Sequence, residues 1–545
     1  MADPRVLAIG LDGLEITLAE RLMASGQMPA LDALRERSSR FRLDAGASQH
    51  TGLAWEHATS GLSPESGRRW SAVEFDPSTY ATWQEGARFA PWWAGVDLRA
   101  VVFDTPHVEL RRAPNTRGVV GWGAYDPGTP TDSRPHGLLA EVEDRFGAYP
   151  AARWTYDLPW PSPARCREMG KALAGALELR ARAATWLATE RLQGWDFYFA
   201  VTGELHGAVE GLWHGVDSSH PLHAHPAAPA AGDALVEVHR ALDRMLGKLV
   251  AAAGDSAVIA FNMGGMGPNQ SDTQTMVLLP ELLYRHAFGR PLLSLPPEWT
   301  QVGERLPVLD EDGDWSEASR TWLPASEART EPQLSDAALS LARRLPNPIQ
   351  EALRTVRKTV TAWRWKPARA FQQGLEWQPA VQYQSFWPRM SAFALPSFHG
   401  GRIRLNLRGR ERDGIVAPER YEETCRELET MLRECRNPLT GEPAVESIER
   451  AWTSDPLKLT GSEADLVVIW RGIAAALVHP RLGQIGPIPL RRTGGHTGTY
   501  GMAYVAGPGL APRDGGVRSA FDVVPTVATL LGKTLTTRVS GRSLL

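Results

Sequence analysis

Cysteine is scarce in this sequence, whose 545 residues contain only Cys166, Cys425 and Cys435. No two of them form a Cys-x-x-Cys pair, so a cysteine-based zinc or redox motif is absent. Cys425 and Cys435 fall in one predicted helix, where ten residues span about 15 Å, too far for a disulfide. We therefore expect ordinary reduced thiols.

An excess of charge of one sign is also missing. Lys+Arg number 59 and Asp+Glu 62, a net charge of −3, which argues against a dedicated nucleic-acid binder or a basic membrane-surface protein. No uninterrupted apolar run is long enough to span a bilayer. The N-terminus enters an apolar run at once, without the regions of a signal peptide, and this predicts a cytoplasmic protein.

What the sequence does contain is an alternation of short apolar runs and segments of helical periodicity. Apolar runs at 6–11, 100–103, 197–201 and 257–261 are separated by amphipathic or Ala/Leu-rich stretches. Strands that alternate with helices in this way are typical of βαβ units. The pattern predicts an α/β fold with a doubly wound, mostly parallel sheet.

A change of pattern divides the chain into three parts. Residues 1–273 are predicted to form the first part of the α/β core, and residues 397–545 the second part with a small α+β element. Residues 274–396 are interpreted as a helical or irregular insertion or cap. Within them, the basic aromatic stretch at 357–369 is interpreted as a solvated helix face, with a ligand-binding role as the alternative.

The most informative pattern begins at the first apolar run. Val6–Leu11 ends directly at Asp12, and Thr51 follows about forty residues later, before the segment Ser60-Gly61-Leu62-Ser63-Pro64. Open α/β sheets bind ligands at the carboxyl ends of their strands, and a Thr that enters a helix lies near free N–H groups. A carboxylate and a hydroxyl there suit a hard metal ion and a phosphoryl or sulfuryl group. Taken singly, each is better interpreted as a turn or helix-cap residue, but together and in this order they favour a site.

Together with two late motifs, this pattern resembles the alkaline phosphatase superfamily, in its type I phosphodiesterase/nucleotide pyrophosphatase branch. Segment 60–64 is a close variant of the Thr-Gly-x-x-Pro motif of that branch. Arg492-Thr493-Gly494-Gly495-His496 is similar to the Gly-x-His motif that carries its last metal ligand, and 519–532 resembles its C-terminal signature. The resemblance implies an alkaline-phosphatase-like fold, a phosphoester substrate and Thr51 as the nucleophile.

The resembled family holds two metal ions side by side at the sheet edge. One ion binds the first Asp, the nucleophile and an Asp-His pair, and the other binds an Asp-x-x-x-His element and the late His. The resemblance therefore implies Asp12 and His496 as metal ligands. Two cations so placed neutralise the phosphoryl oxygens and activate the nucleophile.

The Asp-x-x-x-His element is altered in this chain. Where it should follow the strand at 197–201, His206 and Glu210 have the four-residue spacing but with the residue types exchanged. Imidazole and carboxylate both bind divalent metals, and residues four apart on a helix face the same way. Glu204 and His214 are nearby alternative ligands, and a merely polar cluster at a helix start is the competing interpretation.

The Asp-His pair has no counterpart after the strand at 257–261. Met263 stands where Asp belongs and Gly264 where His belongs, while Asn262 offers at best a weak amide oxygen. A thioether is a poor ligand for a hard cation, and Gly has no side chain. We therefore expect one divalent ion, Zn or Mn, rather than two, held by His206, Glu210 and His496. Asp12 would then orient Thr51 or hold a weak second ion, and a site without any ion is the alternative.

The remaining histidines carry weaker signals. His50 and His57 flank Thr51 without a recognisable Ser-His-Asp pattern. His220, His223 and His225 could chelate a metal, but their Pro/Ala-rich surroundings favour a solvated loop.

Two functions of different classes follow from these patterns. The first is a metal-dependent phosphoester hydrolase or phosphoryl transferase, acting on a mono- or diester with Thr51 as nucleophile. The second is a pseudoenzyme that keeps an anion-binding cleft but has lost metal-dependent hydrolysis. A sulfoester hydrolase, or altered chemistry in the same site, is a third alternative. We expect a small phosphorylated or sulfated substrate, no nucleic acid partner and no membrane span, and leave a homodimer open.

Overall fold

A computed structural model of the protein describes residues 4–123, 130–154, 162–299, 306–309, 313–323, 372–450 and 455–545. The basic aromatic stretch at 357–369 lies outside the described residues, so its predicted role is untested. In the described part of the chain, no helix is both long and apolar enough to cross a membrane.

The strands are distributed along the whole described chain. In chain order they are β1 (Val6–Leu11), β2 (Ser39–Asp44), β3 (Val73–Phe75), β4 (Thr82–Glu85), β5 (Ala100–Phe103), β6 (Thr116–Val120), β7 (Asp132–Arg134), β8 (Phe197–Thr202), β9 (Ala257–Asn262), β10 (Gly265–Pro268), β11 (Gln372–Gln373), β12 (Ala392–Leu395), β13 (Gly401–Leu405), β14 (Val445–Arg450), β15 (Leu466–Trp470), β16 (Leu477–His479), β17 (Gly483–Ile485), β18 (Gly494–Gly498), β19 (Gly501–Ala506) and β20 (Arg513–Ser519).

The α-helices lie mainly between these strands. They are α1 (Ile16–Ala24), α2 (Pro29–Glu36), α3 (Ala54–Ser60), α4 (Pro64–Gly67), α5 (Leu138–Phe146), α6 (Pro163–Trp186), α7 (Glu204–Leu212), α8 (Ala228–Ala253), α9 (Leu279–Phe288), α10 (Trp315–Thr321), α11 (Tyr421–Arg433) and α12 (Val523–Leu530).

The main sheet of the described structure has nine strands in the order β20-β2-β19-β9-β1-β8-β5-β6-β7. The central strands β9, β1, β8, β5 and β6 run parallel to one another, and β2 runs parallel to β20. β19 is antiparallel to both of its neighbours, and β7 is antiparallel to β6. The prediction of a mostly parallel sheet is therefore confirmed.

Both faces of this sheet are buried, as expected for parallel strands covered by helices. In β1, Leu7 and Ile9 pack on the side of the long helices α6 and α8, whereas Val6 and Ala8 pack on the side of α12. Alternate residues of a strand point to opposite faces, so a continuous apolar run is what a strand in this position requires.

A second core surrounds a smaller four-stranded sheet of order β12-β13-β15-β14. Helices α9 and α11 contribute to it, and Cys425 and Cys435 are buried there as free thiols. The first strand of this sheet, β12, precedes the predicted boundary at residue 396, so the small element begins a few residues before it. The three-part division of the chain otherwise remains a prediction.

The topology determines where functional residues gather. Gly10 of β1 is in register with Val201 of β8 and with Phe261 of β9, so the three strands end side by side. Because β19 is antiparallel to β9, its first residue lies at that same edge. The segments that follow β1, β8 and β9, and the segment that precedes β19, therefore meet at one edge of the sheet.

Candidate metal centre and nucleophile

The candidate site begins with Asp12, directly after β1. Its backbone N–H donates to the carbonyl of Thr202, 3.1 Å away, at the end of β8. Gly13 follows with a φ of +80°, and a Cβ on it would lie 2.1 Å from the backbone nitrogen of His206. Only glycine tolerates both this backbone conformation and this close approach, so Gly13 lets the first turn of α7 lie against the end of β1.

Three side chains that are far apart in sequence converge at this edge. His206 Nδ1 lies 3.2 Å from Asp12 Oδ2 and 3.2 Å from His496 Nε2. The Asp12 and His206 side chains are 15% and 13% exposed, so the group is enclosed but open to solvent. The structure thus brings Asp12, His206 and His496 together, whereas the sequence predicted His206, Glu210 and His496 as the ligands of the single ion.

The three ligand atoms fit one divalent ion. All lie within 4.8 Å of one another, and in the described residues no other group of three or more His, Cys, Asp or Glu does so. With bonds of about 2.0 Å, the ligands of a tetrahedral zinc ion lie roughly 3.3 Å apart, close to the separations from His206 Nδ1. Two imidazoles and a carboxylate, with one position left for substrate or water, are a donor set typical of catalytic zinc.

Glu210 lies behind His206 rather than within this group of three. Its Oε1 is 3.1 Å from His206 Nε2, and it forms a buried ion pair with Arg492. A carboxylate that accepts from one imidazole nitrogen leaves the other nitrogen to face the metal. The structure therefore supports an orienting role for Glu210, whereas the sequence predicted a direct ligand.

The charges of this cluster are tightly coupled. Burial by itself lowers the pKa of His206, but the carboxylates of Glu210 and Asp12 outweigh it and raise the pKa to about 10. Burial and the neighbouring His206 lower the pKa of His496 to about 4. Without a bound ion, His206 is thus an imidazolium between two carboxylates, and His496 is a neutral imidazole.

Thr51 lies at the same sheet edge as Asp12. The ring of Trp55, at the start of α3, packs against β1, where a Cβ on Gly10 would lie 2.5 Å from it, and the side chain of Gln49 donates to the carbonyl of Gly498, 2.8 Å away. These contacts tie the 46–60 segment to both β1 and the His496 strand. Thr51 itself is 4% exposed, and its hydroxyl donates to the carbonyl of Ser48 at 2.7 Å.

His399 lies between Gly52, the residue after Thr51, and His496. A Cβ on Gly52 would lie 3.5 Å from its ring, and the ring centroid is 5.2 Å from that of His496. Burial, together with His496 and His50, lowers the pKa of His399 well below its usual value. His399 stands far from every recognised motif, so no pattern in the sequence pointed to it.

The other ligand candidates have structural partners or lie elsewhere. Glu204 is buried and accepts from the Arg180 guanidinium at 2.8 and 3.1 Å. His214 is also buried, and neither of its ring nitrogens has a hydrogen-bond partner among the described residues. Neither belongs to the group of three. His223 is exposed, as a solvated loop predicts, but that prediction is wrong for His220, which is buried against the chain near Thr493.

The segment where the resemblance would place the Asp-His pair follows β9. Asn262 is 2% exposed, and its Nδ2 donates to the carbonyls of Leu14 and Gly264 at 2.8 and 3.1 Å. Its Oδ1 accepts from the backbone N–H of Met502 at 2.6 Å. The Asn262 amide therefore forms hydrogen bonds with three backbone segments. Met263 is buried in the apolar cluster on the α12 side of the sheet. Residues 262–264 therefore offer few atoms that could bind a metal ion.

Several solved structures are similar to this chain over nearly its whole length. Phosphonoacetate hydrolase from Sinorhizobium meliloti 1021 is 14% identical, with a TM-score of 0.46 over 97% of this chain and 96% of that chain. Human ectonucleotide pyrophosphatase/phosphodiesterase 5 is 10% identical, with a TM-score of 0.46 over 98% and 97%. A mutant of alkaline phosphatase PafA is 9% identical, with a TM-score of 0.50 over 100% and 99%.

The chain has the alkaline-phosphatase-like fold. The resemblance that the motifs predicted is thereby confirmed at the level of the fold. No protein-family model matches the sequence, and no curated protein matches it.

Proposed function

We propose that this protein is a phosphoester hydrolase or phosphoryl transferase with a single divalent metal ion and a threonine nucleophile. The observation that carries the proposal is the approach of Asp12, His206 and His496 to within metal-binding distance of one another. These three residues would hold the ion, which we infer to be zinc or manganese. Thr51 would supply the nucleophile from the same sheet edge.

The residues divide the chemistry between them. A divalent ion, when bound, polarises the phosphoryl oxygens and offsets their charge. Asp12, His206 and His496 fix its place, and Glu210 fixes the orientation of His206. Thr51 Oγ1 forms the bond to phosphorus while the ester oxygen leaves, and attack by water, or by an acceptor alcohol in the case of transfer, then frees Thr51 again.

Metal-dependent turnover of simple esters tests the proposal. The protein, loaded with zinc or manganese, is assayed on 4-nitrophenyl phosphate, bis(4-nitrophenyl) phosphate and 4-nitrophenyl sulfate. We expect slow turnover of a phosphate ester, lost after chelation and restored by the metal. Thr51→Ala and His496→Ala should both abolish turnover, but only His496→Ala should reduce the metal content.

A matched control comes from α3. Thr59 is buried like Thr51, but its hydroxyl bonds a carbonyl within its own helix at 3.1 Å. Thr59→Ala should therefore keep both metal and activity. Turnover that persists in Thr51→Ala would exclude the proposed nucleophile, and faster turnover of the sulfate ester would shift the substrate class.

A pseudoenzyme is the second candidate, and one observation favours it. His206 contacts both Asp12 and Glu210, so its imidazolium can occupy the position of the ion as an internal cation. In that case purified protein would contain no metal and hydrolyse no ester on the panel, yet would bind inorganic phosphate by calorimetry. Loss of that binding in His496→Ala would place the anion in the same cleft.

A further inference from the structure

The hydroxyl of Thr51 has an acceptor that the sequence did not reveal. His57, six residues later and 3% exposed, places its Nε2 at 3.3 Å from Thr51 Oγ1. The same oxygen accepts from the backbone N–H of Leu53 at 3.1 Å. The Thr51 proton therefore has two possible acceptors, His57 and the Ser48 carbonyl, of which only an imidazole can take the proton away.

The hydrogen bonds of His57 determine which of its nitrogens can act as a base. Its Nδ1 lies 2.8 Å from the carbonyl of Leu62, and because a carbonyl only accepts, Nδ1 must carry the hydrogen. Burial lowers the pKa of His57 to about 3, so the ring is neutral near pH 7. In this tautomer Nε2 carries a free lone pair directed at Thr51.

The residues that follow β9 explain why such a base is needed. Met263 and Gly264 stand where the resembled family has the metal-binding pair that helps to activate the nucleophile. A threonine hydroxyl is a weak nucleophile unless a metal or a base assists it. His57 is the imidazole that contacts Thr51 Oγ1 in the described structure.

We propose that His57 is the general base that activates Thr51 for attack on phosphorus. As the Thr51 Oγ1–P bond forms, the proton moves from Oγ1 to His57 Nε2, and the ester oxygen leaves with its electron pair. The Leu53 N–H stabilises the negative charge that develops on Oγ1. When water cleaves the phosphothreonine, its hydroxyl forms the new bond to phosphorus, its other proton passes through solvent to the alkoxide that left, and His57 returns the first proton to Oγ1. This step rests on the proposed function, which supplies the substrate class.

An anionic substrate also raises the low pKa of His57, which otherwise makes this imidazole a weak base. A negative charge close to an imidazole favours its protonated form. A phosphate ester positioned for attack on Thr51 therefore raises the pKa of His57 at the moment when the proton must be accepted. Diisopropyl fluorophosphate, in contrast, is neutral and reports on the base without this help.

Two matched variants separate base catalysis from structure. His57→Asn places an amide N–H near the former Nδ1, which keeps the Leu62 bond but removes the base. His50→Asn is the control, because His50 precedes Thr51 and makes no hydrogen bond to its hydroxyl in the described structure. His57→Gln serves as a second variant if His57→Asn unfolds at a lower temperature than the wild-type protein.

The test is the covalent labelling of Thr51 by diisopropyl fluorophosphate in chelator-treated protein, followed by peptide mass spectrometry. The Oγ1–P bond forms, the P–F bond breaks, fluoride leaves and the proton passes to His57 Nε2. We expect labelling of the wild-type protein and of His50→Asn at equal rates, and a loss of about 100-fold or more in His57→Asn.

Each outcome decides between the inference and the proposed function. Labelling of His57→Asn at the wild-type rate overturns the role of His57. Ester turnover that is lost in Thr51→Ala but unchanged in His57→Asn does the same while the proposed function stands. His57-dependent labelling without any metal-dependent ester turnover overturns the proposed function and leaves the base assignment intact.

Discussion

Asn262 is the residue whose replacement best separates a structural role from metal binding. The sequence left it as a weak ligand candidate, whereas the structure shows its amide bonded to the backbone of Leu14, Gly264 and Met502. These bonds join the loop after β1, the loop after β9 and the start of β19. We predict that Asn262→Ala destabilises the fold without lowering the metal content.

The size of the effect follows from these contacts. A typical intramolecular hydrogen bond contributes about 1 kcal/mol net, and a buried polar group left without a partner costs about 1–3 kcal/mol. Asn262 is 2% exposed, so the alanine variant loses three bonds and leaves buried backbone groups unpaired. We expect a decrease of about 3 kcal/mol or more in the free energy of unfolding.

The measurement combines urea unfolding with elemental analysis of metal-loaded protein. Asn437→Ala is the matched control, because Asn437 is 4% exposed and bonds the backbone of Ile473 and Leu439. With two bonds instead of three, it should lose about 2 kcal/mol and keep its metal. The control shows whether destabilisation alone releases the ion.

The reverse pattern would refute this reasoning. If Asn262→Ala unfolds at the same urea concentration as the wild-type protein but loses its metal, Asn262 is a ligand and the described contacts do not determine its role. If both Asn variants lose metal in proportion to their loss of stability, the metal content depends on the overall stability of the fold and not on Asn262 as a ligand.

Three further predictions rest on other contacts. Gly264→His should fold like the wild-type protein, because a Cβ there meets nothing within 4 Å, and Met263→Asp added to it should raise the bound metal by one ion, measured by elemental analysis, at a cost in stability because Met263 is buried. Gly13→Ala should lower the thermal midpoint and the metal content, whereas Gly26→Ala, with a φ of +71° but open space around it, should show only the conformational cost of about 1–2 kcal/mol. Burial lowers the pKa of His239 to about 4, below the unfolded value near 6.5, so this group should lower the free energy of unfolding by roughly 3 kcal/mol as the pH falls from 6.5 to 4; His239→Leu should remove this share of the pH dependence in urea titrations, while His57 and the other buried histidines keep theirs.

The architecture could be predicted because its signals are local. The apolar runs at 6–11, 100–103, 197–201 and 257–261 match β1, β5, β8 and β9 within one residue at either end. A strand that is buried on both faces needs such a run wherever it lies in the chain. The antiparallel direction of β19 carries no local signal, since it depends on which neighbour the strand pairs with.

The sequence by itself determined which residues reach the sheet edge. Asp12 directly follows an apolar run, His206 follows the next central strand, and His496 belongs to a recognisable glycine motif, so their convergence followed from strand direction alone. Composition also argued against a cysteine-based metal or redox site, and the structure places all three thiols in the interior.

Only the tertiary structure decided what each of these residues touches. Glu210 contacts Nε2 of His206 and the guanidinium of Arg492, and Nε2 of His57 lies beside the Thr51 hydroxyl. Spacing places a side chain on one face of a helix to within several ångströms, whereas a ligand or a base is defined by about 3 Å. Which side chains approach to within about 3 Å depends on rotamers and on packing against distant segments, which no local pattern in the chain encodes.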